Sequence, residues 1–332
     1  ALRLVGSEMC IRDRIKDVGL FPKSHLQLDK TDLFKDYAPG FDKLIESIST
    51  GSALFKNQAA CPFNAFVIHR LKAAPLEHPS HGLTAMDRGS ILHEILFRLW
   101  TQWGSSLELH RQSEQDISEQ LEKVSLQVLN HWSIHHSILR GDRYRFIERN
   151  RLVKLLWEWI AQEKQRPNFN IESLEIKHTA TFGDLQVSLR LDRVDRIGDK
   201  LLIVDYKSGT INPAHWDGER PKDPQLPLYV SAGEPVVNGC AFAQIIGGKI
   251  RFTGISDSQL IDGEKLSDDW GERVVSWHTS MTALASEFTA GVAQMEVIHA
   301  SGIAYQTHLL PLNRWSEESM INDIVAVIGD TE

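Results

Sequence analysis

The stretch RLDRVDRIGDKLLIVDYKSG, Arg190 to Gly209, constrains the fold more tightly than any other part of this 332-residue chain. Two strand-like runs flank Gly198-Asp199, a dipeptide suited to a two-residue turn, so the stretch reads as a β-hairpin. Counting outward from the turn, Ile197 pairs with Lys200, and Asp192 falls opposite Asp205 on the same face, with Cβ atoms about 5 Å apart. Arg190 falls opposite Lys207, and Lys207 shares the face of Asp205 because side chains alternate with period two.

Like charges set opposite one another destabilise a sheet. Asp205 also closes the apolar run Leu201-Leu202-Ile203-Val204, where an unpaired charge is costly. A divalent cation held between the two carboxylates removes both penalties, and oxygen ligands of this kind suit Mg²⁺ or Mn²⁺. Lys207 would then lie within reach of an attacking water or a scissile phosphate, able to orient the one and offset charge on the other. The competing reading is a surface salt-bridge cluster of Asp192, Asp205, Arg190 and Lys207.

Around the hairpin the hydrophobic periodicity changes. Helical spacing dominates up to about residue 166, over Ala53–Leu71, Met86–Trp103, Ser113–Trp132 and Arg143–Gln165. The third of these carries Ile117, Leu121, Val124, Val128 and Trp132 on one stripe; the fourth turns Phe146, Leu152, Leu155 and Trp159 inward. Arg143, Arg145, Arg149, Arg151 and Lys154 crowd the first half of that fourth helix. An ordinary solvated face is the leading reading there, and a DNA-facing strip the sharper alternative.

Strand patterns follow at Ile171–Phe182, Leu185–Ile197, Leu201–Tyr206, Cys240–Ile246 and Lys249–Ile255, with turns at Gly183-Asp184, Gly198-Asp199 and Gly247-Gly248. A helix at Pro224–Ser231 interrupts them and a long one, Trp270–Ala293, follows. Helices, a mostly antiparallel sheet and helices again read as a single α+β or α/β domain. That domain is expected over 51–320. Residues 1–14 have no periodicity and read as a junction foreign to it, 15–50 as a linker or partial upstream segment with a short helix at Phe41–Ile48, and 321–332 as a tail.

Net charge is −8, from 36 Lys+Arg against 44 Asp+Glu. That argues mildly against a protein that simply coats DNA, whose affinity comes from neutralising phosphates. It says little against an enzyme that needs clustered carboxylates. No apolar run reaches the roughly 18–20 residues of a membrane helix, so no membrane partner is expected. Cys10, Cys61 and Cys240 are isolated and odd in number, which fits a reducing cytoplasm and implies no disulfide framework.

Asp192-Arg193-Val194-Asp195 and Asp205-Tyr206-Lys207-Ser208 resemble the PD-(D/E)XK nuclease superfamily, specifically its RecB-like branch that includes the AddB nuclease domain. Two further segments resemble that branch in the expected order: Gly89-Ser90-Ile91-Leu92-His93, like its G-x-x-x-H helix, and Gln225-Leu226-Pro227-Leu228-Tyr229, like its Q-x-x-x-Y helix. On spacing alone, Gly89 leaves room one turn before His93, yet a histidine beside Phe97 and Trp100 is more often simply packed. Gln225 and Tyr229 share a helix face and could be only a polar capping pair. Pro227 is tolerable because it lies in the first turn. Glu94 is left without a role, and Arg193 with Asp195 reads as a structural pair on the hairpin's other face.

The resemblance spans roughly residues 50–315 and implies a restriction-endonuclease-like core, with a central mixed sheet, flanking helices and a helical N-terminal part. It implies that His93, Asp192, Asp205 and the main-chain carbonyl of Tyr206 hold Mg²⁺ or Mn²⁺. Lys207 would assist catalysis, with Gln225 and Tyr229 beside it. The implied reaction is hydrolysis of DNA phosphodiesters in repair or recombination, more as an exonuclease than an endonuclease. The implied partners are DNA and a helicase subunit or an upstream helicase-like region. A catalytically inactive scaffold or DNA-binding module of a helicase–nuclease complex is the alternative; a hydrolase acting on something other than nucleic acid is a third.

Many AddB-like nucleases hold an iron–sulfur cluster on one Cys before the motifs and three after them. Cys61 matches the first, in Cys61-Pro62-Phe63, but Ala304, Thr307 and Asn313 stand at the later positions and no Cys follows Cys240. No iron–sulfur cluster is therefore expected. Cys240 is expected as a small buried hydrophobe, and the chain's end is expected to be closed by packing of Phe63, Phe66, Tyr305, Leu309, Leu312 and Trp315.

Overall fold

The computed structural model describes residues 51–76, 82–209, 211–299, 307–309 and 312. The expected helix at Phe41–Ile48, Ala304, Asn313, Tyr305 and Trp315 lie outside them.

The N-terminal part is helical: α1 (Gly51–Ala60), α2 (Ala85–Trp103), α3 (Ser106–Arg111), α4 (Glu114–Trp132) and α5 (Asp142–Glu163). Local chemistry sets their ends. Thr84 caps α2 and Ser113 caps α4, each through a reciprocal box with an Asp three residues on, and Gly104 ends α2 in the left-handed region at φ +65°. The helix expected over Ala53–Leu71 is instead broken at Cys61-Pro62 into α1, a short turn at Pro62–Ala65 and a π-turn at Phe66–Arg70. Pro62 supplies no N–H and starts the second piece at its first turn, where that loss is harmless.

The expected inward stripes hold at Ile117, Leu121, Val124, Val128, Leu152, Leu155 and Trp159, all buried, with Trp132 half-buried. Phe146 is the correction: it is 55% exposed. Six residues before Leu152, it lies about 120° round the helix from that stripe, and Arg149 covers its ring at 5.2 Å.

Among the described residues, six strands form one mixed sheet in sequential order: β1 (Asn170–Phe182), β2 (Leu185–Ile197), β3 (Lys200–Lys207), β4 (Gly239–Ile246), β5 (Lys249–Ser256) and β6 (Glu264–Leu266). Pairing is antiparallel except β3–β4 and β5–β6. The parallel β3–β4 step needs a crossover, which carries α6 (Gln225–Ser231). The chain then continues into α7 (Trp270–Thr289). β6 and α3 are too short to leave a periodic signal in the sequence.

Strand β3 explains the layering. Leu202, Val204 and Tyr206 pack with α2, α4 and α5 in one core, while Ile203 joins α1, α6 and α7 in the other. A strand buried on both faces reads as a continuous apolar run, as Leu201–Val204 does. Among the described residues no helix is long and apolar enough to cross a membrane.

The segment after α7 closes back on the N-terminal helices by main-chain hydrogen bonds. Phe63 N–H donates to Gln294 O (3.2 Å), and Ile298 N–H and His299 N–H both donate to Ala60 O (2.9 and 3.3 Å). Leu309 is buried but Leu312 is 55% exposed. The described part of the closure combines this main-chain bonding at 294–299 with the contact of Cys61 Sγ on Met295 at 3.8 Å and of His299 Nε2 on the Arg220 carbonyl at 2.7 Å.

Candidate active site

The β2–β3 register runs from Ile197–Lys200 to Arg193–Val204, as counting from the turn predicts. One step further the ladder gives way. Asp192 turns its carboxylate to accept the Tyr206 N–H at 3.0 Å, which fixes it against the end of β3. Gly89 lets α2 come close to the same strand end: a Cβ there would stand 3.4 Å from Ser208 Oγ. One turn on, His93 reaches the hairpin, with Nδ1 3.3 Å from Asp192 Oδ2 and Nε2 3.0 Å from the Tyr206 carbonyl.

Helix α6 supplies the other wall. Gln225 Nε2 donates to Asp205 Oδ1 (2.7 Å) and to the Tyr229 phenol (3.0 Å), while Gln225 Oε1 accepts from Lys207 Nζ. Lys207 Nζ is also 3.2 Å from Asp205 Oδ2 and 4.9 Å from the Phe242 ring centroid. His93, Asp192, Asp205, Tyr206, Lys207, Gln225 and Tyr229 therefore line one cavity of about 890 Å³. Arg190 does not join Lys207; it pairs with Lys177 of β1 and its Nε lies 3.0 Å from Glu175 Oε2. None of the five cations of the α5 strip lines this cavity. Arg145 and Arg151 there pair with Asp142 and Glu148, each at 2.5 Å.

The electrostatics are those of a site short of positive charge. Burial and the neighbouring Asp192 charge push the Asp205 carboxyl up to about 7, against smaller opposing pulls from Lys207 and His93. Burial would raise Asp192 too, but the His93 hydrogen bond and charge, with the Tyr206 N–H, hold it below its ordinary value. Burial lowers His93, and the hydrogen bond and charge of Asp192 more than offset that, so it stands above its ordinary value.

Behind the cleft, the expected Arg193–Asp195 pair is part of a larger buried cluster. Arg193 binds Asp195 (2.5 and 2.7 Å), Glu163 at the end of α5 (2.6 Å) and the Tyr206 phenol (3.1 Å); Arg166 binds Glu163 and Asp195, each at 2.7 Å. Two guanidinium groups face two carboxylates with nearly all hydrogen bonds made, the condition under which buried charge is tolerable. Glu94 also lines the cavity, held by Arg98 (2.5 Å) and Trp132 Nε1 (2.8 Å).

Sequence reasoning missed Glu175. It lines the cavity from β1, and its φ of +49° puts a non-glycine residue in the left-handed region, a conformation costing about 1–3 kcal/mol. The signal was present: counting outward from Gly183-Asp184, through the observed pairs Phe182–Leu185 and Ile176–Leu191, sets Glu175 against Asp192.

Do these residues fit a divalent ion? Asp205 Oδ2 is buried with Lys207 Nζ at 3.2 Å, one ion pair set against two neighbouring carboxylates. His93, Glu175 and Asp192 offer ligand atoms that all lie within 4.8 Å of one another. Carboxylate, carbonyl and imidazole donors around a cation-poor cavity are a set that can hold a divalent ion.

No protein of curated function matches the chain. Among solved structures it is similar to one titled "Crystal structure of SSO0001", with 12% identity, 71% of this chain and 83% of that chain covered, and a TM-score of 0.25. A superposition that loose carries no argument. The family model described as the PD-(D/E)XK nuclease superfamily matches residues 55–283, a span that encloses His93, both hairpin aspartates, Lys207 and the Gln225–Tyr229 helix. On this match the chain belongs to the PD-(D/E)XK nuclease superfamily.

Proposed function

We propose that the protein is a divalent-ion-dependent deoxyribonuclease of the RecB/AddB-like branch, acting in DNA repair or recombination. The observation that carries this reading is the convergence of His93, Asp192, Asp205, the Tyr206 carbonyl and Lys207 on one cavity. His93, Asp192, Asp205 and the Tyr206 carbonyl would hold Mg²⁺ or Mn²⁺. Such an ion, when bound, polarises a phosphoryl oxygen and makes water a better nucleophile at neutral pH.

The chain's own residues supply the rest. Asp192 is held by the Tyr206 N–H in the wall of the cavity, so it needs no rotamer search to serve there. Gln225 clamps Asp205 and Lys207 together from α6. Lys207 is the cation held at the mouth of the site, 30% exposed. From there its ammonium orients the attacking water and offsets charge growing on the phosphate. DNA is the substrate, a helicase subunit or an upstream helicase-like region the partner, the cytoplasm the location and exonuclease action the expected mode.

The test is cleavage of 5′- and 3′-labelled single- and double-stranded DNA with Mg²⁺, Mn²⁺ or EDTA. Ion-dependent products with wild-type protein, absent for Lys207→Ala, are expected. Absence of cleavage on every substrate and ion would favour the inactive scaffold instead.

A further inference from the structure

We propose that Glu175 supplies a further carboxylate to the divalent-ion centre, so that Asp192 on β2 is flanked by one acidic ligand from each neighbouring strand. The inference rests on the proposed ion dependence of this site and adds a residue that neither the hairpin motif nor its flanking helices contain.

Three observations on separate features carry it. The first is register. β2 is shared by two hairpins: Glu175 lies between the observed pairs Ile176–Leu191 and Leu174–Arg193, opposite Asp192, while on the other side the ladder ends at Arg193–Val204, one residue short of Asp192 and Asp205. The second is position. The Glu175 carboxylate lines the same cavity as Asp192 and Asp205, and its ligand atom lies within 4.8 Å of those of His93 and Asp192. The third is backbone. Glu175 holds φ +49° in the middle of a strand, a conformation that persists in a glutamate only where its surroundings impose it.

A surface ion pair with Arg190 does not account for this placement. Arg190 is 60% exposed and could follow a glutamate turned to solvent. Instead the carboxylate is three-quarters buried beside Asp192, where like charge repels it. Near it the cavity offers one guanidinium at 3.0 Å and the His93 ring. A divalent cation resolves that excess of negative charge, as it does for Asp192 and Asp205.

The experiment is Mn²⁺ titration by calorimetry on the full chain near pH 8, comparing wild type with Glu175→Gln, Glu175→Asn and Asp192→Asn. Each variant is first checked for its fold by circular dichroism. Glutamine keeps the size and removes the charge. Asparagine removes the charge while tolerating the left-handed backbone, so a defect common to both cannot come from backbone relaxation. A loss of Mn²⁺ affinity of about tenfold or more in both Glu175 variants is expected. Wild-type affinity in both, alongside a weakened Asp192→Asn, would overturn the role of Glu175 while leaving the ion centre in place. No Mn²⁺ binding by wild-type protein, or none lost in Asp192→Asn, would remove the centre itself and this inference with it.

Discussion

His93 donates its Nε2–H to the main-chain carbonyl of Tyr206 across 3.0 Å. Its other ring nitrogen faces Asp192 Oδ2 at 3.3 Å. Both partners accept hydrogen bonds, and the Asp192 hydrogen bond and charge raise the ring above its ordinary value despite its burial.

To ligate through either nitrogen, His93 must give up a proton. Asp205, whose carboxyl is raised to about 7, must do the same. Ion binding near pH 7 should therefore release protons. Calorimetry in buffers of different ionisation enthalpy should show a net release at pH 6.5 that shrinks by pH 8.5. Binding enthalpy that does not depend on the buffer would contradict this picture.

The same groups set a pH dependence of stability. Asp205 keeps a proton in the folded state that the unfolded chain loses near pH 4, so folding is increasingly penalised from there to about 7. His93 is raised; its contribution is complete below the unfolded value of 6.5 and fades as pH climbs through the folded one. Asp192, held low, works the other way only on acidification below about 4. Ion-free protein should therefore lose Tm between pH 5 and 8, and Mn²⁺ should raise Tm more at pH 8 than at pH 6. Differential scanning fluorimetry with and without EDTA decides this, and an equal Mn²⁺ effect at both pH values would refute it.

Loss of Lys207 or Asp205 should stop chemistry without unfolding the chain. Lys207→Ala and Asp205→Ala are each expected to reduce cleavage roughly 10²-fold or more. Gln225→Ala, which frees both groups rather than deleting either, should fall between these and wild type, by about tenfold. Wild-type rates in either of the first two variants would move catalysis off this hairpin.

Behind the site, Glu163→Gln should destabilise the fold itself. It leaves Arg193 and Arg166, both buried, facing one carboxylate in place of two. Breaking a buried pair from one side costs about 3–5 kcal/mol, or roughly 5–15 °C in Tm for a domain of this size. Thermal unfolding followed by circular dichroism measures it; a shift under 2 °C would show that the cluster carries little stability.

Protein purified anaerobically should be colourless. Cys61 and Cys240 are both buried, the first against Met295 at 3.8 Å and the second inside β4. Stoichiometric iron with acid-labile sulfide would show that the C-terminal cysteine positions were misread.

How far the site was legible depends on what fixes each residue. Asp192 and Asp205 could be paired on paper because a two-residue turn determines every pair behind it. Glu175 yields to the same counting, but its carboxylate reaches the cavity through a left-handed backbone that no strand pattern announces. Gln225 was placed by motif, and its clamp on Asp205 and Lys207 needed the crossover helix in position. The Arg193 cluster was half visible: Asp195 lies two residues away, but Glu163 and Arg166 arrive only when the end of α5 docks on the sheet. Phe146 departs from the inward stripe because it lies about 120° round the helix from Leu152, where the apolar spacing no longer faces the core. The 294–299 closure includes main-chain bonds from 298 and 299 to Ala60, which side-chain patterns do not encode.

Because Asp192 belongs to two hairpins at once, the turns at Gly183-Asp184 and Gly198-Asp199 act as rulers. One residue inserted or deleted in either would move every side chain on that arm to the opposite face, sending Glu175 or Asp205 away from the cleft. Relatives that keep this chemistry should therefore vary in length within the loops between β3 and α6 or between β5 and α7, while both turns keep their two residues.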